Sequence, residues 1–132
     1  MNTKLLMRLS SLFVGLAGIF ALFAPDILLR LLHASAVHTL LVLVQLIGAL
    51  YFSFALMNWA AKDSIIGGIY ARPVSLGNFS HFLTGTILLL KYQLSNEFNL
   101  LIVSALIVYA IFAFLFYWLV FRATGIVVDR SI

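Results

Sequence analysis

The chain reads as an all-α protein of the membrane: a polytopic bundle of four transmembrane helices, with a short interfacial helix after the first span. Three observations predict this. The first is composition, since 64% of the residues are hydrophobic and only 9% are charged. Ordinary soluble domains are about 45–50% apolar and about 25% charged. A globule as short as 132 residues buries only about two-thirds of its surface, so lipid must cover the rest. The second is that the apolar residues gather into four runs, at about 5–24, 37–61, 73–92 and 100–122. The third is the segregation of basic residues. Lys4, Arg8, Lys62, Arg72, Arg122 and Arg130 fall on one side of these runs, and only Arg30 and Lys91 on the other. By the positive-inside rule both termini are cytoplasmic, and an even number of spans agrees with both ends lying on one face. One domain, residues 1–132, accounts for the whole chain.

The first run follows Lys4 and Arg8 and is read as an uncleaved helix, because no small-residue cleavage site precedes Pro25. At about 100° per residue, Lys4, Arg8, Ser11, Gly15, Gly18 and Leu22 share one narrow face. Small residues let helix backbones approach closely in lipid, so this is the expected inward stripe. Pro25 then ends the span or opens a new helix, since a first-turn proline loses no hydrogen bond. Leu28, Leu29, Leu31 and Leu32 interleave with Asp26, Arg30 and His33, a pattern suited to a short helix lying at the interface. His33 and His38 are too far apart around a helix to bind a metal together, and both are read as interfacial.

The second run divides cleanly. Leu43, Leu46, Ile47, Leu50, Phe54 and Met57 form a bulky apolar arc expected to face lipid. Gln45, Gly48, Tyr51, Phe52, Ala55 and Asn58 form the opposite arc, expected to face the bundle. The third run is expected to start near Pro73, because a start at Asn78 would leave only about 15 residues, too few for a hydrocarbon core of roughly 30 Å. Gly77, Asn78, Ser80, His81, Thr84, Gly85 and Lys91 make its inward arc, and Phe79, Phe82, Leu83, Ile87, Leu89 and Leu90 its outward arc. After the polar connection around Asn96 comes the fourth run. Tyr109, Ala110, Ala113 and Tyr117 lie on one side of it, with Trp118 and Phe121 at belt height. The tail beyond Phe121 reads as a solvated end.

Absences exclude several kinds of chemistry. There are no cysteines, so disulfides, thiolate catalysis and thiolate metal sites are out of reach. The net charge of +4 is spread thinly, without the patch that nucleic acid requires. A proton-coupled exporter of cations needs an acid inside the membrane, but Asp26, Asp63, Glu97 and Asp129 all lie at ends or in connections. Only His81 among the histidines lies within a span, so neither paired haem ligation nor a three-ligand zinc site is expected. No metal and no cofactor is implied, and no enzyme is expected.

The polar chemistry that remains surrounds the connection between the second and third spans. Asn58 and His81 reach similar depth on antiparallel neighbours, Asn78 lies one turn from His81, and Arg72 stands at the mouth. Histidine titrates near neutrality and an amide both donates and accepts. The candidate ligand-binding set is therefore Asn58, Asn78, His81, Arg72, Gln45, Tyr51 and Thr84. Its competing role is structural, with Asn58 bonding His81 and latching two helices together.

The segments ALFAPD, QLIGALYFSFALMNW and NFSHF give the chain a likeness to known sequences. It resembles small uncharacterised bacterial four-helix integral membrane proteins with a Leu-Phe-Ala-Pro turn and a Gly-Ala-rich second helix. The resemblance covers about residues 12–90 and implies a bacterial cytoplasmic membrane location, but it implies no activity. The expected function is that of an accessory or a lipid- or small-ligand-binding bundle, with its polar site at the cytoplasmic ends of helices two and three. The alternative is a small oligomeric transporter or channel whose path is shared between copies. The expected partners are the lipid bilayer and either further copies of the chain or a larger membrane complex.

Overall fold

A computed structural model describes residues 2–63 and 71–122. Residues 64–70, in the middle of the connection between the second and third runs, lie outside the described residues. So does the tail at 123–132, with Asp129 and Arg130. The described chain forms five helices: α1 (Thr3–Phe23), α2 (Pro25–Leu31), α3 (His38–Ala61), α4 (Ala71–Ser95) and α5 (Leu100–Arg122).

Four of the five helices start where their residues make starting cheap, and α3 starts after Val37 without a side-chain cap. Asn2 caps α1, its side-chain oxygen accepting from the Leu5 amide at 3.1 Å, which satisfies one of the orphan amides at a helix start. Pro25 opens α2, and Pro73 sits in the first turn of α4, where the missing N–H has no helical partner to lose. Asn99 caps α5, accepting from Leu101 at 2.9 Å and Ile102 at 3.4 Å. The end of α2 is equally explicit. His33 takes φ 56°, and the amides of His33 and Ala34 return to the carbonyls of Arg30 and Leu29 at 3.0 and 2.9 Å. This is the Schellman arrangement that closes a helix with a left-handed residue, so His33 serves as a cap. An Asp26–Arg30 ion pair at 2.8 Å runs along the exposed side of the same helix.

Helices α1, α3 and α5 are long and apolar enough to cross a membrane. α4 has the length, 25 residues, but Arg72, Asn78, His81, Lys91 and Gln93 dilute its hydropathy. Among the described residues three spans of that character are present, where the sequence led us to expect four.

The core lies between α1, α4 and α5. Leu6, Met7 and Val14 of α1 meet Phe82 of α4 and Tyr109, Phe112, Phe116 and Leu119 of α5. Phe82 is fully buried, stacked on Phe112 and Phe116 with ring centroids at 4.8 and 5.8 Å. This corrects its assignment to the lipid-facing arc: α5 lies along that side of α4. The other face of α1 carries Ser11, Gly15 and Gly18 against α3, as the small-residue stripe leads one to expect. Lys4 and Arg8, at the start of that stripe, are exposed, because long basic side chains near a helix end reach outward to water. α3 itself buries only Gly48, Ala55 and Asn58. It is a peripheral helix, packed along its length on α1 and touching α4 sparsely.

Candidate functional site

The expected polar cluster forms, with a different pairing from the one the sequence suggested. Asn58 and Asn78 are both fully buried and exchange two side-chain hydrogen bonds. The Asn58 amide donates to Asn78 Oδ1 at 2.8 Å, and the Asn78 amide donates to Asn58 Oδ1 at 2.6 Å. Their remaining N–H groups are also placed. Asn58 donates to Ser10 Oγ at 3.2 Å, and Asn78 donates to its own helix at Val74 O, 2.8 Å away. Ser10 donates in turn to the Met7 carbonyl at 3.1 Å. All four amide protons are used within the protein, so the cluster offers a ligand no donor. Geometrically it is a closed latch joining α1, α3 and α4.

His81 takes no part in that latch. It lies one turn further along α4, and its ring packs between Tyr51 and Phe54 of α3, with centroids at 5.2 and 5.6 Å. Its Nε2 is 3.3 Å from the Tyr109 hydroxyl, which is itself 2.6 Å from the Tyr51 hydroxyl. Three polar groups from three helices, Tyr51, Tyr109 and His81, thus form one hydrogen-bonded chain in otherwise aromatic surroundings. Gly85 makes room for it. A Cβ at Gly85 would collide with the Tyr109 ring, so only glycine lets that ring lie flat on α4.

The other residues of the expected set are not brought to this centre. Gln45 is exposed, and its amide donates to Leu22 O at 3.2 Å, one of the carbonyls left unpaired at the end of α1. Thr84 is exposed and bonds back to Ser80 O in its own helix. Arg72 is exposed in the first turn of α4. Sequence reasoning missed Ser10, which adjoins Ser11 and accepts from Asn58 of α3, and the partnership of Tyr109 with Tyr51. At the same end as the latch, Asp63 follows α3 and pairs with Lys4 and with Lys62, the latter at 3.3 Å. The Lys4 ammonium bonded to it, aided by Lys62, holds the Asp63 carboxyl below its usual range.

Beyond Tyr51 and His81, α3 and α4 diverge. The space between them is a half-open crevice of about 700 Å³, lined by Ala17 and Phe20 of α1, Ile47 of α3, Leu88 of α4 and Ala105 and Val108 of α5, among others. Leu28, Leu31 and Leu32 close its far end, where the Asn99 amide donates to Leu31 O at 3.2 Å and ties α5 to α2. Among the described residues, no Lys, Arg, Asp or Glu lines it. Its volume lies within the roughly 300–1,000 Å³ of sites that hold small molecules. Water needs two to four polar partners to occupy such a space, and these walls offer few, so the favourable filling is apolar.

The fold and this crevice define an all-helical protein with three helices suited to crossing a membrane and a lateral apolar cleft among them. No protein-family model matches the chain, nor does any curated protein or solved structure.

Proposed function

We propose that this chain is a four-span protein of the bacterial cytoplasmic membrane that holds an apolar ligand between its two halves. It is an accessory or binding bundle and not an enzyme. The observation that carries the reading is the crevice of about 700 Å³ with its uncharged, largely hydrocarbon walls. It opens between helices at the level of the bilayer, where a ligand can enter sideways from lipid without crossing water. The proposed ligand site therefore moves from the Asn58–Asn78 cluster, whose donors are all used, to the cleft beyond Tyr51.

The fourth span of this reading is α4. At 25 residues and 1.5 Å per residue, it is long enough for a hydrocarbon core of roughly 30 Å. Its polar side chains are compatible with lipid because they have internal partners: Asn78 in the latch, His81 at Tyr109, and Thr84 and Thr86 on carbonyls of their own helix. Arg72 and Lys91 sit towards its ends, where long side chains reach the interface. With α4 crossing, Lys4, Arg8, Lys62 and Arg72 lie together on the cytoplasmic side.

The absence of cysteines makes the topology directly testable. Single-cysteine variants Lys62→Cys and Asn96→Cys in sealed vesicles should react with an impermeant maleimide from opposite sides. Reaction of both from one side removes α4 as a span. For the ligand, native mass spectrometry of protein purified in mild detergent should show a retained apolar adduct. Ala105→Phe, which fills the crevice, should lose that adduct while remaining folded. Protein that carries no adduct in either form overturns the reading.

A further inference from the structure

The crevice is closed towards the latch by Tyr51 and Tyr109, which line it and carry the hydrogen-bonded chain to His81. The direction of that chain is not fixed by its geometry, because each hydroxyl can donate once and accept. If His81 Nε2 holds a lone pair, the Tyr109 hydroxyl donates to it and the Tyr51 hydroxyl donates to Tyr109. The Tyr51 oxygen is then left with lone pairs and no donor. If Nε2 carries the proton instead, every bond reverses: His81 donates to Tyr109, Tyr109 donates to Tyr51, and the Tyr51 O–H is left free. The tautomer of His81 thus sets whether the terminal group, Tyr51, accepts or donates. Tyr51 is only half-buried, and it stands where the apolar walls begin.

We infer that the ligand of this crevice is a long-chain lipid with a neutral oxygen head, an alcohol or a ketone, and that the head is hydrogen-bonded by Tyr51 at the end of the Tyr51–Tyr109–His81 chain. The inference rests on the reading of the crevice as a ligand site. The hydrocarbon walls take the chain. The head is neutral because no cation among the described residues lines the cleft, and an anionic head would lie in a low dielectric without a counter-charge, at large cost. The head is not simply absent either. A plain alkane would leave the terminal hydroxyl of the chain facing hydrocarbon with one half of its capacity unused, which costs more than leaving it to a polar partner. Because the chain can reverse, one site accommodates a donating alcohol and an accepting ketone. A fixed donor would still reach the acceptor oxygen of either head, and the reversible chain adds acceptance from an alcohol's O–H.

The test uses the purified full chain in phosphatidylcholine nanodiscs and two diazirine probes of equal length, a long-chain alcohol and an alkane. Irradiation and peptide mapping should place the alcohol on crevice residues. Unlabelled alcohol and ketone should each compete with it better than unlabelled alkane. Tyr51→Phe should lower alcohol labelling about two- to tenfold, the worth of one hydrogen bond, and leave alkane labelling unchanged. The competition series needs no variant, so it stands even if Tyr51→Phe fails to fold. Equal competition by alcohol and alkane overturns the head assignment and leaves the crevice as a site for hydrocarbon alone. Stronger competition by a fatty-acid anion overturns the neutrality of the head. Labelling of the crevice by neither probe overturns the ligand reading itself.

Discussion

α3 meets α1 and α4 in opposite ways. Against α1 it is in close contact: a Cβ added at Gly48 would stand 2.8 Å from both Gly18 O and Leu22 N, and one at Gly18 would stand 2.7 Å from Phe52 N. Ser11 adds a hydrogen bond to Ala55 O at 2.7 Å across the same seam. Against α4 it is pinned at one level by the Asn58–Asn78 pair, wedged by Tyr51, Phe54 and His81, and open beyond. In lipid no hydrophobic force draws helices together, so association depends on packing and on interhelical hydrogen bonds. The α1 seam uses the first and the α4 seam chiefly the second. A seam held by packing must be continuous, whereas a seam held by a pin can gape elsewhere. That freedom leaves room for the crevice.

One glycine on each seam tests this contrast, and the two are expected to differ in sign. Gly48→Ala forces a methyl into backbone atoms at 2.8 Å, so α1 and α3 must separate, at a cost of about 1–3 kcal/mol. On the α4 seam, a Cβ at Gly77 would meet only the Phe54 ring tip, at 3.5 Å, an ordinary contact. Gly77→Ala should therefore be neutral or stabilise the protein by up to about 1 kcal/mol, the helix-propensity gain of replacing glycine. Denaturant titration in detergent, followed by helical circular dichroism, reads both. Equal losses at the two positions would mean that the seams pack alike.

The helices and the small-residue seam were legible in the sequence because each rests on a local signal: apolar run length, proline at helix starts, and glycines at helical spacing. The burial of Asn58 and Asn78 was legible too, since an amide in hydrocarbon needs an internal partner. Their pairing with each other was not. A helical wheel gives the angle of a residue around its axis but not its height against a neighbour. A one-turn difference in register puts Asn78, and not His81, opposite Asn58. Phe82 was misread for a related reason. In a membrane the inward and outward faces are both apolar, so hydrophobicity does not say which way phenylalanine points. Gln45 and Thr84 show the converse. A polar side chain that can reach a carbonyl of its own helix or of a neighbour's end has no need to face inward. The crevice left no trace, because Ile47, Leu88 and Val108 have the same pattern whether they touch a neighbour or face a gap.

The amide pair yields the finer test, because it separates a latch from a ligand site. Asn78→Leu removes one partner and leaves the Asn58 amide buried with an unfilled acceptor and an unused N–H, a loss of about 1–3 kcal/mol. Asn58→Leu does the same to Asn78, which keeps its bond to Val74 O just as Asn58 keeps its bond to Ser10 Oγ in the other variant, so the two losses should be similar. In the double variant no amide is stranded and two apolar side chains of similar size meet. Ser10 loses only an accepted bond and keeps its own donation to Met7 O. Replacing both partners is then far less costly than the sum of the single losses, with a coupling of at least about 1 kcal/mol expected for side chains in direct contact. Additive losses would show that the two amides do not depend on each other. Ligand retention discriminates further: the crevice begins beyond Tyr51 and neither asparagine lines it, so a folded double variant should keep its apolar adduct. An adduct lost from a stable double variant would return the ligand to the polar cluster and make the crevice a by-product of the pin.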